Sequence, residues 1–178
     1  MRKFTLGALL VAGAFLLSAC TPGPLGTQRY QPYTGSDATV VYTQANKAHQ
    51  GLFYFQRYNK EGDCFNSAEM IYISNNMLDG VVDRLFTSRL KGDQYWTLIV
   101  QDNSSGRMWI HETAFFLEKG KHYVAISSRG AVEIPADLNI TSQDDLDKVY
   151  DRYKDKPAKP WNLRRGICKS WLSKAMGS

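Results

Sequence analysis

YWTLIVQDNSSGRMWIHETAFFLEKGKHYVAIS, residues 95–127, holds three runs that read as strands. Tyr95–Gln101, Arg107–Phe116 and His122–Ser127 are rich in aromatic and β-branched residues, a composition that packs well on a pleated surface. The breaks between them, DNSSG at 102–106 and EKGK at 118–121, are turn sequences. The spacing predicts a three-strand antiparallel meander.

Upstream, Ala38–Thr43, Leu52–Tyr58 and Ala68–Ser74 have the same strand composition, and Ala131–Ile134 adds a short edge strand before Pro135. Met77–Leu90 differs. Its apolar residues fall at 77, 78, 81, 82, 85, 86 and 90, the spacing of one helical face. Asn76 is placed to cap that helix and Asp79 lies in its first turn. In the C-terminal third, Ser142 precedes Gln143, Asp144 and Asp145, and Leu146, Val149, Tyr150 and Tyr153 line one face. From Trp161 onward, Leu163, Ile167, Trp171, Leu172 and Met176 predict a second amphipathic helix. Its basic side carries Arg164, Arg165, Lys169 and Lys174. The expected fold class is α+β. It is a mostly antiparallel sheet or sandwich of about six or seven strands, with one inserted helix and two C-terminal helices.

The N-terminus carries a different kind of signal. Met1-Arg2-Lys3 is a positive start, Leu6–Ala19 is apolar or small, and Cys20 follows. This is the pattern of a secretory signal. The apolar stretch of 14 residues is shorter than the ~20 that span a bilayer as a helix. Leu17-Ser18-Ala19-Cys20 resembles the lipobox of bacterial lipoproteins. The resemblance covers residues 1–20 and implies cleavage between Ala19 and Cys20, with lipid on the Cys20 sulfur and on the new amine. Two or more acyl chains anchor stably where one does not. Thr21, in the place where Asp favours inner-membrane retention, implies an outer-membrane anchor facing the periplasm.

The chain then divides into a signal at 1–19, a lipidated Cys20 with a flexible tether to 36, and one globular domain at 37–178. The tether, TPGPLGTQRYQPYTGS, is rich in Pro, Gly, Thr and Ser. Such a flexible segment spans roughly 20–25 Å. If lipid takes Cys20, then Cys64 and Cys168 are left. In an oxidising compartment two thiols in one domain are expected to form a disulfide, with two buried free thiols or a metal pair as the other readings.

The formal charge is +5, but it is unevenly spread. Residues 20–146 hold 11 Lys/Arg against 14 Asp/Glu, and residues 147–178 hold 9 against 3. A basic end attracts anionic surfaces. In an exported protein these are lipid head groups, glycans or acidic proteins, and nucleic acid is not expected.

Catalytic chemistry has no readable motif. The histidines, His49, His111 and His122, do not stand at zinc-ligand spacings. Ser104-Ser105-Gly106 and Ser127-Ser128-Arg129-Gly130 do not match a nucleophile elbow. There is no Gly-rich phosphate loop. No catalytic residue, metal or cofactor is therefore expected. The sequence supports three readings: a non-enzymatic accessory module of an envelope machine for secretion, conjugation or outer-membrane assembly; a lipoprotein binding peptide, glycan or lipid on an aromatic sheet face; and an envelope hydrolase. The aromatic face is expected at Tyr54, Trp96 and Trp109, and a partner-binding face at the basic residues 164, 165, 169 and 174. The sequence does not define an oligomeric state.

Overall fold

The computed structural model of the protein describes residues 27–45, 52–75, 84–102 and 106–168. The signal, Ala19, Cys20, Lys169, Lys174 and the Met77–Asp83 part of the expected inserted helix lie outside the described residues.

Among the described residues, ten strands form two stacked sheets. In chain order they are β1 (Thr27–Arg29), β2 (Ala38–Ala45), β3 (Leu52–Glu61), β4 (Cys64–Asn75), β5 (Arg84–Lys91), β6 (Gln94–Asp102), β7 (Trp109–Leu117), β8 (His122–Ile126), β9 (Gly130–Ile134) and β10 (Lys159–Pro160). One sheet has the order β1-β4-β3-β6-β7-β10 and the other β5-β2-β8-β9. Most neighbours are antiparallel, while β1–β4 and β2–β8 are parallel.

The alternation of each strand explains the stacking. Phe53 and Phe55 on β3, Trp96, Leu98 and Val100 on β6, and Phe115 and Leu117 on β7 point inward from the larger sheet. Val41, Leu90, Tyr123 and Ala125 meet them from the smaller one. Successive side chains on a strand point to opposite faces, so the outer faces carry a second set. On the smaller sheet Val124, Ile126, Val132 and Ile134 point outward. The helix α1 (Gln143–Arg152) covers them with Leu146, Val149 and Tyr150. Ser142 caps α1, accepting a hydrogen bond from the Asp145 backbone N–H at 3.1 Å.

Five sequence expectations are corrected, the last of them the second C-terminal helix. The fold is a mostly β sandwich rather than an α+β fold of six or seven strands and three helices. The described part of the inserted helix is the strand β5. It pairs antiparallel with β2 from Ala38↔Lys91 to Ala45↔Arg84, and its burial alternates, with Ser88 and Leu90 buried and Thr87 and Arg89 exposed. Pairing along β2 outweighs the helical spacing. The meander also ends early, because β8 crosses to the other sheet between β2 and β9. Thr27–Arg29, assigned by composition to the tether, pair with Met70–Tyr72 as β1.

The second C-terminal helix is a different structure over its described part. After β10 the chain leaves the edge of β7 and crosses the outer face of the larger sheet as a strap. Only one turn is helical, α2 (Leu163–Gly166). Trp161 packs among Tyr58, Phe65 and Tyr95, with ring centroids 4.5–5.8 Å apart, and its Nε1–H donates to the Trp96 carbonyl at 3.2 Å. Ile167 then bridges to Phe65, the Cys168 N–H donates to the Phe65 carbonyl at 3.0 Å, and Cys168 is disulfide-bonded to Cys64. The expected bridge is present.

Gly166 is what lets the strap lie this close. A Cβ there would come within 2.7 Å of the Phe65 ring. Gly166→Ala is therefore expected to destabilise the domain by about 1–3 kcal/mol through overpacking, read as a lower thermal midpoint. An unchanged midpoint would mean that the strap does not bear on Phe65.

Candidate interaction site

Three consecutive apolar residues, Met108–Ile110, lead into β7. Met108, Trp109 and Ile110 are 63%, 52% and 51% exposed. Strand alternation puts such a run on both faces at once, so one side must meet solvent. Further along β7, Ile110, Glu112 and Ala114 share the outer face. They form one wall of a cleft of about 620 Å³, and Pro160–Leu163 of the strap form the other.

Among the described residues, Glu112 is the one charged side chain lining this cleft. Its carboxylate acts on the neighbouring tyrosines of β3. Burial raises the Tyr58 hydroxyl to about 12, and the Glu112 charge adds to that rise. Tyr54 is raised in the same way, by burial first and Glu112 second. The cleft thus combines an apolar rim, an aromatic floor at Trp161 and the negative charge of Glu112.

The structure separates the aromatic residues that sequence reasoning grouped. Tyr54 is half-buried on the outer face of the larger sheet. Trp96 is 1% exposed on the inner face, its ring edge-on to Phe55 at 6.3 Å and its Nε1–H donated to the Lys91 carbonyl at 3.0 Å. Trp109 stands exposed at the end of β7. These three do not share a face. The basic face is not assembled among the described residues either. Arg164 and Arg165 lie in α2, with side chains outside the described set, as are Lys169 and Lys174. Sequence reasoning named Trp109 but not its exposed neighbours Met108 and Ile110, although three consecutive apolar residues leading into a strand are a readable sign of a surface that does not follow the core.

A second cleft, of about 410 Å³, lies between the segment Gln31–Thr34 and the strands β3 and β5. Two of the three cations that line it, Arg57 and Arg89, are already engaged. Arg57 pairs with Glu69 at 3.0 Å and donates to Asn59 at 2.9 Å. Arg89 donates to the Tyr33 carbonyl at 3.3 Å.

The histidines are apart. His111 on β7 has its Nδ1 3.3 Å from the Ser128 hydroxyl at the β8–β9 turn. His122 lies on β8 in the other sheet. Among the described residues, no three His, Cys, Asp or Glu side chains are grouped to hold a metal. Burial first, and then the Arg89 charge, lower the pKa of His122, and its buried Nδ1 has no hydrogen-bond partner. A histidine depressed in the folded state binds its proton more readily when unfolded, so stability falls as pH drops below the ordinary value of about 6.5. The thermal midpoint is expected to decrease between pH 7.5 and 5.5, and His122→Gln to flatten that decrease. Equal slopes for both proteins would count against His122 as the cause.

The architecture is thus a two-sheet β sandwich, closed by a disulfide-held strap and bearing an apolar cleft with Glu112 at one sheet edge. Comparison with protein-family models, with curated proteins and with solved structures gives no match for this chain.

Proposed function

We propose that the protein is a lipid-anchored envelope protein that acts as a non-enzymatic interaction module, an accessory part of a larger envelope assembly. The anchor is Cys20, on the outer membrane and facing the periplasm. The observation that carries the module reading is the exposed run Met108, Trp109 and Ile110 beside the Glu112 cleft. Contiguous exposed apolar surface with a polar rim is characteristic of a contact site, and exposed Trp and Met are enriched in such sites. The scaffold fits that role. β7 is paired with β6 along its whole length and backed by the core through Phe115 and Leu117, so a partner meets a preformed surface at low ordering cost.

The test is in-cell cross-linking of the tagged full-length protein followed by mass spectrometry, with Cys20→Ala as the unanchored control. One or two envelope proteins, recovered reproducibly and lost in the control, are the expected result. Recovery of no specific partner would overturn the reading and direct attention to binding assays with glycans, peptides and lipids.

A further inference from the structure

Among the described residues, the edge of β7 is only partly occupied. Among the described residues β10 is the one strand on that side, and its pairing runs from Lys159↔Phe116 to Pro160↔Phe115 and stops. Proline has no N–H to continue a ladder. Trp161 turns off the edge to pack on the outer face with Tyr58 and Phe65. Ahead of that point β7 continues through Ala114, Glu112 and Ile110, regularly paired with β6 on its other side from Gln94↔Leu117 to Asp102↔Trp109. Proteins ordinarily blunt a sheet edge with Lys, Pro or a bulge. Lys159 and Pro160 do this at Phe115 and Phe116. The part beside the cleft carries apolar Ile110, small Ala114 and one acid, with no register shift against β6.

Resting on the interaction-module reading, we propose that this edge receives an extended peptide segment of the partner by strand addition. The segment runs antiparallel to β7, as β10 already does on the same edge. Main-chain hydrogen bonds supply affinity in this mode, and alternate side chains supply specificity. Residues two apart on the added strand face Ala114, Glu112 and Ile110 in turn. Ala114 leaves room for a large apolar side chain, Glu112 selects Lys or Arg, and Ile110 with its neighbour Met108 takes a second apolar one. The recognised pattern is apolar–x–basic–x–apolar. The carboxylate in the middle of the cleft disfavours an anionic lipid surface as the occupant.

The test uses fluorescence anisotropy of the disulfide-intact protein with a labelled synthetic peptide centred on Leu-Thr-Lys-Thr-Leu. Binding is expected to weaken roughly tenfold or more when the backbone nitrogen of the central Lys is methylated, which removes a donor facing Glu112 in the ladder. Glu112→Lys is expected to reverse the preference toward Leu-Thr-Glu-Thr-Leu by about tenfold, and Ile110→Ser, at an exposed position, to weaken both peptides. Circular dichroism of each variant shows that the fold is kept. Absence of binding, or equal binding of the N-methylated peptide, overturns the proposal. Binding of phosphatidylglycerol vesicles without peptide binding overturns it in favour of a lipid surface. Repeating the in-cell cross-linking with Glu112→Lys separates the two readings. A partner captured equally by both proteins removes this edge as the site and leaves the module reading standing. A partner captured by neither removes the module reading itself.

Discussion

Replacing Cys64 or Cys168 with Ser is expected to lower the thermal midpoint by roughly 10 °C. The bond closes a loop with a sequence separation of 104. In the chain-entropy account such a closure is worth about 4.7 kcal/mol, and removing native bridges usually costs about 2–5 kcal/mol. For a chain of this size each kcal/mol moves the midpoint by about 2–4 °C. The loss is also local. Without the bond, the strap is held by the bridge of Ile167 to Phe65, the Cys168 N–H on the Phe65 carbonyl and the Trp161 ring contacts. Tryptic cleavage after Arg164 or Arg165 is therefore expected to accelerate on reduction. The double Cys→Ser variant, melted with and without reductant, separates loss of the bond from the effect of a stray thiol. A midpoint unmoved by reductant in the wild-type protein would show that the bridge does not stabilise the fold.

Trp96→Ala is expected to cost about 3–5 kcal/mol, a large fraction of the roughly 5–15 kcal/mol that holds a typical domain folded. The side chain is 1% exposed and packs against Phe55. Removing it leaves a cavity between the sheets and takes the donor from the Lys91 carbonyl, which accepts from Nε1 at 3.0 Å. Trp96→Phe should cost less, because it keeps most of the packing and loses the hydrogen bond. Denaturant unfolding measures both. A near-neutral Trp96→Ala would return Trp96 to the surface and reopen an aromatic ligand face with Tyr54 and Trp109.

The difference between those two placements shows where sequence reasoning stops. Trp96 and Tyr54 both lie in aromatic strand runs, and composition identifies the runs without saying which face each residue takes. The face follows from register. Arg57↔Trp96 and Tyr54↔Ile99 across β3 and β6 set Trp96 inward and Tyr54 outward, and a shift of one residue would exchange them. The candidate cleft was illegible for a related reason. Its two walls, Ile110–Ala114 and Pro160–Leu163, lie far apart in sequence and are joined by a strap read as part of a helix.

By itself the sequence determined what depends on near neighbours. Ser142 and the acids after it specified the start of α1, and turn residues separated strand runs that do form strands. Cys64 and Cys168, the pair left if Cys20 is lipidated, indicated the bridge that is present. The tertiary structure decided what depends on distant partners. Residues 84–91 became β5 because β2 lay alongside to pair with them. β8 crossed to the second sheet for the same reason. Residues 161–168 became a strap because Phe65 and Cys64, about 100 residues earlier, gave them backbone, ring and sulfur partners. Short apolar runs fit either a helix or a strand, and the hydrogen bonds and buried area offered by a remote partner select between them.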